Sequence, residues 1–87
     1  MNPIRTAVLR FLDGISYGSI RFSEAGRTQL VGEGNPGPTV DVTVHSPRLW
    51  TQMLRGSTGM AESYVSGEWD CDDLGGLATL AGRNLVH

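Results

Sequence analysis

The sequence predicts a small α+β domain, an antiparallel sheet of three or more strands flanked by helices. Three observations lead there. Apolar residues recur at helical spacing from Ile4 to Ile15 and again beyond Ser46. Between these regions, Val40, Val42 and Val44 alternate with Asp41, Thr43 and His45, the period of a half-buried strand. Glycine and proline punctuate the boundaries, as in Gly32-Glu33-Gly34-Asn35-Pro36-Gly37-Pro38.

The first element reads as a helix. Ile4, Ala7, Val8, Phe11, Leu12 and Ile15 fall at i, i+3, i+4, i+7, i+8 and i+11, one apolar face. Asn2 is suited to cap it, Pro3 to its first position and Gly14 to its stop.

Three strands are expected next. In Ser19 to Ser23, Ile20 and Phe22 share a face and Arg21 takes the other. Glu24-Ala25-Gly26-Arg27 turns the chain into a second strand, Thr28 to Val31. Thr39 to His45 is the third and clearest, reached through what reads as a hairpin loop. Its alternation predicts an antiparallel sheet with one buried face.

Helices return at Ser46, a good cap, followed by Pro47 at a first position. Leu49, Trp50, Met53 and Leu54 form the apolar stripe, and Gly56 ends it. A second short helix is expected from Gly59 to Ser66, stopped by Gly67, with a short extended piece from Gly67 to Asp70. The last helix is expected to start near Asp70. Asp72 and Asp73 would sit in its first turn, where the helix dipole favours negative charge. Leu74, Leu77, Ala78, Ala81 and Leu85 would line its packed side.

With 87 residues, the chain is expected to form one domain. A domain this short buries only about 60% of its unfolded surface, which leaves little room for a deep active site beside a core. The net charge is -2 and every basic residue is arginine, with no basic block of the kind that binds nucleic acid. Cys71 stands alone, so no internal disulfide can form. Arg10 and Asp13 interrupt the first apolar segment, a poor signal peptide, and no apolar run approaches the ~20 residues that span a bilayer. The expected location is cytoplasmic.

Catalytic and cofactor motifs fail on their context. Gly32 to Gly37 matches GxGxxG by letter, but a strand follows it rather than the helix whose amides would meet a phosphate. His45, His87 and Cys71 lack metal-ligand spacing, and His45 reads as an exposed surface histidine. Asp70, Asp72 and Asp73 surround Cys71 with charges that raise a thiol pKa, the wrong setting for a nucleophile. Ser46 and Ser57 suit caps and turns. No catalytic, cofactor-binding or metal-binding residue is assigned.

The most distinctive stretch runs from Gly56 to Asp70. It carries Gly59, Glu62, Tyr64, Gly67 and Trp69 in the spacing G-x-x-E-x-Y-x-x-G-x-W, and Arg83-Asn84 follows in the last helix. In this strand-helix context the chain, from Ser19 to Asn84, resembles the N-terminal domain of cyclopropane-fatty-acyl-phospholipid synthases and related lipid methyltransferases. Many members carry a second tryptophan where this chain has Glu68. A weaker similarity, in the order of strand, helix and glycine-led segment, is to sterol-carrier-protein-2 modules.

The second similarity implies a sterol-carrier-protein-2-like fold, and the first implies a non-catalytic N-terminal domain over residues 1–87, either separated from its catalytic half or a native product lacking it. It implies that S-adenosylmethionine and the catalytic residues belong to a C-terminal methyltransferase domain, which bridges a lipid double bond with a methylene group. Implied partners are that domain, phospholipid or a fatty acyl chain, and the inner membrane surface as a peripheral contact. Read from local physics alone, the same residues are structural. Glu62 falls in a helix first turn, Met60 and Tyr64 pair at i, i+4, Gly67 stops the helix and Trp69 anchors the core. Glu62 or Tyr64 can also face the catalytic domain. The rival functions are a free-standing lipid-binding module and a structural or dimerisation domain without ligand.

Overall fold

The structure is a computed structural model that describes residues 2–85, without the side chain of Leu85. Among these residues the chain is α+β, with four helices and one four-stranded sheet. The elements run α1 Pro3–Leu12, β1 Ser19–Glu24, β2 Arg27–Val31, β3 Thr39–Val44, α2 Arg48–Met53, α3 Gly56–Val65, β4 Trp69–Cys71 and α4 Leu74–Leu85.

The sheet order is β2-β1-β3-β4. The expected antiparallel sheet is in fact mixed. β1 pairs antiparallel with β2 but parallel with β3, from Ser19 opposite Thr39 to Glu24 opposite Val44. Strand alternation is blind to this choice, because it reports which face is buried and not which way the neighbour runs. The glycine-rich segment is accordingly no hairpin loop. It carries the chain past the end of β1, from one neighbour of that strand to the other. Asn35 Nδ2 donates to the carbonyls of Ile15 and Gly18 at 2.7 and 3.1 Å, and the Gly18 amide donates to Pro36 O at 2.7 Å. Gly32 has φ +75°, and a Cβ there would lie 2.6 Å from Gly18 O, so glycine is required for this close approach.

One sheet face is buried, as the alternation predicts. Ile20, Phe22, Val40, Val42, Val44 and Trp69 meet Val8 and Leu9 of α1, Leu49 and Trp50 of α2, and Leu80 of α4. The rings of Phe22 and Trp50 lie 5.1 Å apart between centroids, a tilted pair of the favourable kind. Arg21 and Asp41 form a 2.8 Å ion pair on the other face, which is polar and open to water.

The helix faces differ from their sequence reading. In α1 the buried residues are Val8 and Leu9, while Phe11 is 80% exposed and Ile4 and Ala7 also face solvent. Arg5 explains the rotation: its Nε meets Glu24 Oε1 at 2.9 Å and its guanidinium lies over the Trp50 ring. That anchorage turns Leu9 inward and Phe11 outward. Asn2 caps the helix as expected, accepting from the amides of Ile4 and Arg5. In α4, Leu80 is the buried residue and Leu77 packs beside it, whereas Leu74, Ala78 and Ala81 are exposed. Asp70 and Cys71 belong to β4, so α4 starts later than expected, with Asp73 Oδ1 accepting from the Gly76 amide. No described helix is long and apolar enough to cross a membrane.

Candidate functional site

The Gly59 to Trp69 stretch folds into one unit built from α2, α3 and β4. Ser46 Oγ accepts from the Arg48 amide at 3.2 Å just ahead of α2, whose cap position is Pro47, one residue later than the sequence suggested. α3 begins at Gly56, three residues before the expected start, so Glu62 lies in its second half rather than its first turn. The helix dipole therefore does not account for Glu62. Its carboxylate instead pairs with Arg55 at 2.6 Å, and both side chains are about half exposed. Such a surface pair contributes roughly 0–1 kcal/mol.

The other marker residues have structural tasks. Gly59 is buried against α2, and a Cβ there would lie 2.1 Å from Gln52 O. Only a residue without a side chain lets the two helices approach so closely. Gly67 has φ +75° and reverses the chain after α3, as expected. Trp69 is buried, and its indole N–H donates to Met60 O at 3.1 Å. Tyr64 sits at the rim of this unit, partly exposed, its ring 5.0 Å from that of Trp69.

The most tightly bound polar group here is Glu68, a residue the motif reading passed over. Its side chain accepts from the Ser63 hydroxyl at 2.5 Å and reaches Arg48 Nε at 3.2 Å. Its amide donates to Ser63 O at 3.0 Å, and its carbonyl accepts from the amides of His45 and Ser46. Glu68 therefore ties the end of α3 to the end of β3 and the start of α2. Ser63 is fully buried. Its hydroxyl donates to the carboxylate in a pocket shut off from solvent, so this pair acts as a clamp and offers no accessible nucleophile. The signal in the sequence was a serine and a glutamate on either side of a helix-stopping glycine, which only the reversal at Gly67 brings face to face.

Arg83 and Asn84 lie away from this unit, at the end of α4. Asn84 Oδ1 accepts from the amides of Ser16 and Tyr17 at 2.9 and 3.1 Å. Its Nδ2 donates to Tyr17 O and Leu80 O, each at 2.8 Å. The Arg83 guanidinium lies 4.2 Å from the centre of the Tyr17 ring. These two residues lock α4 onto the segment joining α1 to β1.

The remaining chemical candidates are dispersed. His45 is exposed at the end of β3, and His87 lies outside the described residues. Among the described residues no three His, Cys, Asp or Glu side chains come together to hold a metal ion. Asp70 Oδ1 accepts from the Cys71 amide, while Asp73 caps α4. The Cys71 thiol is pushed above its ordinary range, first by burial and then by the charges of Asp72, Asp73 and Asp70, against the opposing effect of a hydrogen bond from the Asp73 backbone. It is a resting thiol rather than an activated one.

Compared with protein-family models, with curated proteins and with solved structures, the chain matches none. Fold and site together define an α+β domain whose distinctive polar groups are engaged in holding its own elements together.

Proposed function

We propose that the chain is the N-terminal accessory domain of a cyclopropane-fatty-acyl-phospholipid synthase-like methyltransferase. In this reading it has a sterol-carrier-protein-2-like fold and helps position phospholipid, or the catalytic domain, at the cytoplasmic face of the inner membrane. S-adenosylmethionine and the catalytic residues belong to the methyltransferase domain. The observation that carries the reading is the division of labour within the marker segment. Gly59, Gly67 and Trp69 build the α2–α3–β4 unit, while Glu62 and Tyr64 are left at its surface. Val65, 86% exposed at the end of α3, extends that surface with an apolar side chain suited to a lipid or domain contact.

The test uses the chain joined to its methyltransferase domain. Methylene transfer from S-adenosylmethionine into vesicles of unsaturated phospholipid is measured for the wild type and for Val65→Asp, a change at an exposed position. Transfer and vesicle sedimentation should both fall, with S-adenosylmethionine affinity unchanged by calorimetry. A natural reading frame without a methyltransferase domain would refute the proposal. Saturable titration of the isolated chain with a fluorescent fatty acid would favour the free-standing lipid-binding module instead.

A further inference from the structure

β2 is an edge strand, and residues of α1 face it across a groove. Arg5 ties the start of α1 to Glu24 beside the β1–β2 turn, and Asp13 Oδ1 accepts from the Gly32 amide just beyond β2, at 3.1 Å. Between helix and strand lies an open groove of about 370 Å³, bordered by Arg5, Leu9 and Arg10 and by Gln29, Leu30 and Val31. The β1–β2 turn has two central residues at positive φ, Ala25 at 50° and Gly26 at 79°. In such a turn the closing residues, Glu24 and Arg27, exchange both backbone hydrogen bonds. The alternation of the ladder then points the amides and carbonyls of Thr28 and Leu30 away from β1, toward the free edge.

Two exposed arginines, Arg10 and Arg27, border this edge, and neither has an ion-pair partner among the described residues. Arg5 is already paired with Glu24, and Asp13, in the same groove, accepts from the Gly32 amide. We propose that the β2 edge and its groove receive an extended peptide segment rich in carboxylates. The segment adds to the sheet as a further strand, bonded to the backbone of Thr28 and Leu30, and sets its acidic side chains against Arg10 and Arg27. An extended backbone is required because outward-facing groups two residues apart repeat at about 6.6 Å, the period of a strand. The arginines supply charge-assisted hydrogen bonds and select for acid. The inference is independent of any lipid role.

The experiment selects a displayed library of random nine-residue peptides on the full wild-type chain, and the enriched peptides are then titrated against the wild type and the variants. Enriched peptides should be acidic and bind saturably, with about tenfold or greater loss in R10E or R27E, as expected where a charge-assisted contact is reversed. Amide shifts on binding should centre on Thr28 and Leu30. The T28P variant removes one outward amide while sparing the ladder to β1, and should weaken binding without unfolding the chain by circular dichroism. R10E, at an exposed helix position, keeps the test decisive if T28P fails to fold. Neutral or basic selected sequences, undiminished binding by R10E, or no enrichment would overturn the proposal. So would self-association through β2 in sedimentation, or retention on anionic phospholipid vesicles with no peptide selected.

Discussion

The Ser63 hydroxyl and the Glu68 carboxylate share a 2.5 Å hydrogen bond inside the protein, five residues apart across the reversal at Gly67. Arg48 touches the same carboxylate from outside, with its own side chain 75% exposed. The two contacts should therefore differ in worth. Glu68→Leu leaves the buried hydroxyl without its acceptor and should cost about 2–3 kcal/mol, whereas Arg48→Ala should cost less than about 1 kcal/mol. Urea unfolding checks both, and a double-mutant cycle with Ser63→Ala should return a coupling energy well above that of the Arg48 pair.

Gly59 and Gly67 should respond differently to alanine. A Cβ at Gly59 strikes the Gln52 carbonyl and the Arg55 Cβ, so the α2–α3 pair must separate. Overpacking of this kind costs about 1–3 kcal/mol or more. At Gly67 nothing lies within 4 Å of the added atom, and only the φ of +75° opposes it. Gly67→Ala should cost about 1–2 kcal/mol, and Gly67→Asn less, because asparagine tolerates the left-handed region. Thermal denaturation of the three variants checks this ranking.

Asn84 should govern how firmly α4 is held. Asn84→Ala removes four hydrogen bonds between α4 and the α1–β1 segment or within α4. The loss should be about 2 kcal/mol and should be felt locally. Amide hydrogen exchange is expected to rise in α4 and at Ser16 and Tyr17, well before it rises in β1 and β3. Asn84→Asp keeps the acceptor but loses the donor, and should fall between wild type and alanine.

Cys71 should react slowly. Burial, followed by the charges of Asp72, Asp73 and Asp70, raises its pKa. The folded chain thus holds the proton at pH values where the unfolded chain has released it. Iodoacetamide should label native protein more slowly than urea-unfolded protein at pH 8.5, near a free thiol's pKa of about 8.5. The stability tied to this thiol is complete below the unfolded pKa and is lost as the pH climbs through the folded one. Unfolding free energy should therefore fall through the alkaline range more in the wild type than in Cys71→Ala.

Secondary structure was largely legible in the residues. The alternation of Val40, Val42 and Val44 placed β3, and the strand pattern placed the single buried face. Asn2 marked a helix start through its side-chain oxygen, and Gly67 marked a stop. Within the marker segment, the anchoring of Trp69 in the core was equally readable. The placement of Glu62 was not, because α3 starts at Gly56 and shifts every position along it.

The α+β class, most of the elements and the turn residues could be read from residue order alone, because these depend on contacts within a few residues. Tertiary structure decided the parallel pairing of β1 with β3, the rotation of α1 by Arg5 and the buried Ser63–Glu68 clamp. Each of these joins groups that the local pattern treats as unrelated. A strand's period does not encode its neighbour's direction, and a helix's apolar stripe does not encode an ion pair that turns it. The charge of Glu68 found its buried place only when the chain reversed at Gly67 and brought Ser63 and Arg48 to it.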